Sequence, residues 1–110
     1  MIIDFEKLEE VTNDGFKGGE GIMYSRSFFD GHNRIMLARL EPKACSGYHT
    51  HVDNCEMIYV ISGQLTCRDN DVTEVCTAGQ LHYCPKGHSH SFVNNGTTTA
   101  EFLCVVPEQK

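Results

Sequence analysis

Two histidines, His49 and His51, flank a single threonine, and Glu56 follows five residues after His51. On a β-strand, side chains at i and i+2 point to the same face, with Cα atoms about 6–7 Å apart. That spacing lets both imidazoles converge on one ion. Glu56 lies an odd number of residues from His51 and would face the other way on an unbroken strand. Asp53 and Asn54 stand between them, and their side chains bond to nearby backbone and favour chain reversal. A bend there brings the carboxylate back to the histidine side. A third imidazole is available on a later segment, His88-Ser89-His90, where strand parity alone does not choose between His88 and His90. Three imidazole nitrogens and a carboxylate oxygen suit one divalent transition metal (Fe, Mn, Ni or Zn) and leave room for water or substrate on a five- or six-coordinate ion. Such an ion activates dioxygen or polarises a carbonyl.

The elements that must carry these residues read as strands. Candidates run from Ile22 to Phe28, Arg34 to Leu40, Met57 to Ile61, Gln64 to Arg68, Thr73 to Cys76, His90 to Val93 and Thr99 to Val106. Asp30-Gly31-His32-Asn33, Asp69-Asn70-Asp71 and Asn95-Gly96 punctuate them as turns. Only Phe5 to Thr12 has charged residues at helix-compatible spacing, and Asn13-Asp14-Gly15 and Gly18-Gly19-Glu20-Gly21 then break structure. Many short strands with regular turns predict an all-β sandwich or barrel after a short N-terminal segment. Alternation places Ile58 and Val60 on the face of Glu56, and Phe92 and Asn94 on the face of His90. Met36, Ala38 and Leu40 share one face of their strand, as do Phe102 and Cys104. Together these predict an apolar lining suited to a small, partly hydrophobic ligand. Asn94, before Asn95-Gly96, reads as a turn residue bonding to backbone.

Two spaced patterns give a family resemblance. Pro42-Lys43 precedes five residues, then His49-Thr50-His51, four residues, Glu56, six residues and Gly63. Gly79, Pro85, Gly87, His90 and Asn94 follow at the intervals of a second signature. In this the chain resembles the small cupins, departing only at Lys43, where glycine is usual. The resemblance implies a jelly-roll β-barrel over residues 1–110, with the first motif near 42–63 and the second near 79–94. It implies a metal held by His49, His51, Glu56 and His90, so it selects His90 over His88. Similar small cupins include dioxygenases, decarboxylases, isomerases and lyases, so the resemblance implies a small metalloenzyme of one of these types acting on a small organic substrate; the alternative is a cupin that binds or senses a small molecule without turnover. No second acid or base stands at motif spacing; Tyr48, Tyr59 and His88 are the candidates.

Length and composition bound the rest. The 110 residues carry a net charge of −6 with nine scattered basic residues, which argues against nucleic acid. No apolar run is long enough to span a bilayer, and the first residues lack a secretory pattern. The six cysteines contain no Cys-x-x-Cys pair and predict free thiols in a reducing cytoplasm. Cys55 stands out as the neighbour of Glu56. His32 reads as a surface turn residue and His82 as structural. His88 reads as structural too, or as a donor behind the ligands. Outward-facing Met57, Tyr59 and Ile61 need cover, and the apolar Met1–Phe5 segment can be exchanged between copies, which predicts a homodimer.

Overall fold

The computed structural model describes residues 1–110, and ten strands account for most of its regular structure. They are β1 (Glu10–Asp14), β2 (Ile22–Phe29), β3 (Asn33–Leu40), β4 (His49–Thr50), β5 (Glu56–Ser62), β6 (Gln64–Asp69), β7 (Val72–Thr77), β8 (Leu81–Cys84), β9 (Ser89–Val93) and β10 (Ala100–Pro107). All pairings are antiparallel. One sheet runs β1-β2-β3-β10-β5-β8 and the other β4-β9-β6-β7. The two sheets face each other as a jelly roll, the all-β architecture expected. No helix is long and apolar enough to cross a membrane.

The alternation rule holds on both inner faces. Met36, Ala38 and Leu40 of β3, Ile58 and Val60 of β5, Phe92 of β9, and Phe102 and Cys104 of β10 are all buried. Phe92 and Phe102 meet edge to face across the sheets, with centroids 5.6 Å apart and planes at 70°. Such a pair adds about 0.5–1.5 kcal/mol beyond burial. Asn94 does bond to backbone, but from full burial: its amide donates to Leu40 O and Thr98 O, and its oxygen accepts from Gly96 N. It thereby ties the end of β9 to β3 and to the turn before β10.

Two regions depart from the sequence expectation. Phe5 to Thr12 forms no α-helix: a 3-10 turn spans Phe5–Lys7, and the chain then enters β1, which includes Asn13 and Asp14. A helix of eight residues is too short to be stable alone, because nucleation is costly. Pairing with β2 supplies the alternative, and Glu10 bridges both Arg26 and Arg39 on that face. The break comes at Gly15, the last residue of the expected Asn13-Asp14-Gly15 stretch. The second departure is β8, a four-residue edge strand between Gly79 and Pro85 that the alternation did not reveal. Lys43, the one deviation from the first motif, has φ of 69°. The turn forms there with lysine in the left-handed region that glycine occupies at least cost.

Candidate metal centre

β4 and β9 are hydrogen-bonded neighbours, and their register sets His49 directly opposite His90. That register resolves the ambiguity of His88-Ser89-His90: His90 points inward and is fully buried, while His88 Nδ1 lies 2.7 Å from Asp69 Oδ1, away from the cluster. After His51 the chain bends at Val52–Asp53 and crosses to the other sheet, where Glu56 opens β5. The carboxylate therefore approaches from the opposite wall, as the turn-formers predict.

The donors converge tightly. His90 Nε2 lies 3.0 Å from His51 Nε2, from His49 Nε2 and from Glu56 Oε1. His51 Nε2 is also 3.0 Å from Glu56 Oε1, and His49 Nε2 is 3.9 Å from it. Each ring is turned by its other nitrogen. His49 Nδ1 donates to Gly47 O at 2.8 Å, and His51 Nδ1 donates to Asn54 Oδ1. His90 Nδ1 lies 2.9 Å from His82 Nε2, with the two rings stacked at 14°. Because Gly47 O and Asn54 Oδ1 only accept, the Nε2 atoms of His49 and His51 carry lone pairs. Lone pairs facing one another and a carboxylate are stable only around a cation or a proton. Donors about 2.1 Å from one ion and at right angles to each other stand about 3.0 Å apart, against about 3.4 Å at the tetrahedral angle. The spacing and the mixed N/O donors therefore fit a divalent ion with positions to spare, and the group could hold one.

Electrostatics agree. Burial alone would raise the Glu56 pKa, but the three imidazoles packed against it overcome that and hold the carboxyl well below its usual range. Glu56 likewise raises His51. Glu56 Oε2 accepts from the thiol of Cys104 at 2.9 Å, and burial first, then the carboxylate, pushes that thiol well up. Burial lowers the His82 pKa and keeps that ring neutral.

Three of the four donors, His49, His51 and Glu56, line a cavity of about 660 Å3, and His90 is buried behind them. Here the expected apolar lining needs correction. Met36 and Cys104 reach the cavity, but Ile58, Val60, Phe92, Asn94, Ala38, Leu40 and Phe102 are packed beneath it in the core. The rest of the wall is more polar: Ser25 and Ser27 from β2, Arg34 from β3, and Phe16 and Lys17 from the turn after β1. That turn is seated on the segment leading to His49. Gly47 N donates to Phe16 O, and a Cβ on Gly47 would stand 1.8 Å from Lys17 O, so only glycine allows the contact.

The remaining candidates fall elsewhere. Tyr48 is exposed beneath Arg68, Tyr59 is exposed on the outer face, and neither they nor His88 line the cavity. Cys55 is fully buried and does not line it either. All six cysteines are free. His32 sits on the surface, its Nδ1 2.6 Å from Glu108 Oε2. Sequence reasoning missed His82, which stands behind His90, and the hydrogen bond from Cys104 to Glu56. Neither has a motif to mark it.

Residues 36–106 match the cupin domain family. The chain is 33% identical over 112 residues to the oxalate-binding protein of Thermotoga maritima, covering 96% of this chain and 93% of that one. The crystal structure of a predicted oxalate decarboxylase from Thermotoga maritima has a TM-score of 0.90 at 24% identity, covering 98% of this chain and 99% of that chain. A sugar phosphate isomerase of the cupin superfamily from Silicibacter pomeroyi has a TM-score of 0.77 at 25% identity, with 97% and 75% covered. The two structures share the jelly roll at these low identities.

Proposed function

The chain belongs to the cupin domain family, and from that premise we propose that it holds one divalent transition metal on His49, His51, Glu56 and His90 and captures a small organic acid there. The observation that carries this reading is the set of three Nε2 atoms and one carboxylate oxygen, each turned by its own anchor, at the wall of an open cavity. When bound, the metal would supply Lewis-acid positions for a carboxylate. The protein supplies the orientation: Gly47 O, Asn54 and His82 fix the three rings, and Cys104 leaves Glu56 one oxygen to present. Oxalate is the first ligand to test, because the 33% identical relative is an oxalate-binding protein.

Catalysis of the dioxygenase, decarboxylase, isomerase or lyase type would use the same ion. Binding is the reading favoured, because the three acid–base candidates Tyr48, Tyr59 and His88 stand outside the cavity. Calorimetry of metal-loaded protein with oxalate should give saturable binding that a chelator abolishes. Binding that persists without metal would overturn the reading. Incubation with carbon-13 oxalate in air should leave its signal unchanged, and growth of formate or carbonate signals would replace binding with turnover.

Two further parts belong to this reading. Tyr59, Ile61, Leu81 and Tyr83 form an exposed apolar patch on β5 and β8, and Met1 and Ile2 are almost fully exposed. A homodimer would cover them, and light scattering that gives a monomer at micromolar concentration would contradict it. Six free thiols favour a reducing compartment, the cytoplasm.

A further inference from the structure

The cavity is far larger than a two-carbon acid requires. Its volume of about 660 Å3 lies well inside the roughly 300–1,000 Å3 that holds drug-sized ligands. Its wall also carries a cation that no protein group neutralises. Arg34 shares the inward face of β3 with Met36, Ala38 and Leu40, at the rim of the barrel. Arg26 and Arg39 both pair with Glu10, whereas Arg34 has no carboxylate partner in a chain of net charge −6. Its guanidinium is nonetheless held. Nη1 donates to Ser27 Oγ at 2.8 Å, and the group lies 4.7 Å from the centroid of the Phe29 ring. One hydrogen bond and one ring fix its position and leave its other N–H donors free.

The sheet register places this cation relative to the metal donors. Val106 stands opposite Arg34, and Val105 stands opposite Met57, which puts Arg34, Val106 and Glu56 in one cross-strand row. Two strand steps separate the Arg34 and Glu56 backbones by about 10 Å. Arg34 is exposed at the rim, and Ser27 and Phe29 hold its guanidinium toward β2, on the side of β3 away from Glu56. The directly joined carboxylates of oxalate are too short to span from the donors to it. Lys17, on the other lip, is exposed like Arg34, but its ammonium lies 5.9 Å from the Phe16 ring and has no side-chain hydrogen bond to hold it.

We propose that Arg34, braced by Ser27 and Phe29, is a specificity-determining residue that selects a dicarboxylate longer than oxalate, with one carboxylate at the metal donors and the other on its guanidinium. This inference rests on the metal-dependent capture of acids proposed above but names a longer ligand than oxalate. A bidentate guanidinium–carboxylate pair supplies both direction and strength.

The test is calorimetry of the metal-loaded protein with acetate, butyrate, oxalate, succinate and glutarate, repeated for Arg34→Gln and Lys17→Gln. The wild type should bind succinate or glutarate at least tenfold more tightly than butyrate, which has the same chain as succinate and lacks the second acid group. Arg34→Gln should weaken the diacids by roughly tenfold to a hundredfold and leave acetate and butyrate unchanged. The unchanged monoacids also show that the variant folds and holds its metal. Lys17→Gln should act on every acid alike and only slightly. Tightest binding of oxalate, equal losses for butyrate and succinate in Arg34→Gln, or loss of the preference in Lys17→Gln would overturn the assignment while leaving metal-dependent capture intact. Metal-loaded protein that binds none of the five acids would overturn both.

Discussion

Cys104→Val isolates the least expected contact of the site. The thiol is the only hydrogen-bond partner of Glu56 Oε2, at 2.9 Å, and both residues are buried. Valine keeps the side chain apolar and of similar size but removes the donor, leaving a buried carboxylate oxygen unpaired. Hydrogen bonds to charged groups contribute about 1.5–3 kcal/mol, and an orphaned buried acceptor costs a comparable amount. With an unfolding entropy of about 2.1 cal/mol/K per residue, a chain of this length loses about 1 °C of Tm per 0.23 kcal/mol, so metal-free Cys104→Val should melt roughly 6–13 °C below the wild type. Cys104→Ser retains an O–H donor and should recover part of that loss. The same change frees the second oxygen of Glu56, and metal affinity should fall about 10–100-fold, as is usual when a group orienting a ligand is lost. Calorimetric melting of the chelated protein, together with competition against a metal-binding dye, measures both. A variant as stable as the wild type, with unchanged affinity, would refute the idea that this thiol positions Glu56.

His82→Phe keeps a ring to stack on His90 but removes the acceptor at Nδ1; metal affinity should fall about 10–100-fold, and unchanged affinity would refute the role given to His82. The His32–Glu108 pair should show its own pH dependence. The Glu108 hydrogen bond raises the His32 pKa, so the His32 share of stability is full below the unfolded imidazole value and fades as pH rises through the raised folded value. Lys110 first and His32 second lower the Glu108 pKa, so that share is present above the unfolded carboxyl value and is lost as pH falls through the lowered one. Glu108→Gln should shift the proton-NMR titration of His32 downward, and an unmoved midpoint would contradict the pairing.

What was legible in the sequence was local and periodic. Period-two alternation found seven of the ten strands, together with the inward faces of β3, β5, β9 and β10, because each buries one face against the opposite sheet. The turn-formers Asp53 and Asn54 correctly foretold the return of Glu56. Their work proved double, since Asn54 also anchors His51. Missing were contacts set by register between distant strands. Nothing local says that β8 lies beside β5 and delivers His82 to His90, or that Cys104 meets Glu56 from the neighbouring strand. The cavity lining was misjudged for the same reason. Ile58, Val60 and Phe102 do face inward, but farther down the barrel, while the rim is built from β2, the outer end of β3 and the turn after β1. Parity tells which face a residue occupies. It does not tell how far along the barrel the residue sits.

The central claim is the four-donor metal centre, and elemental analysis of protein purified without chelator and reloaded with Fe(II), Mn(II), Ni(II) or Zn(II) tests it most directly. The account predicts one ion per chain for the wild type, one for His88→Ala, whose ring faces Asp69, and none for His49→Ala with His51→Ala in a protein that keeps its β-sheet circular dichroism. Stoichiometric metal retained in the double variant would contradict it.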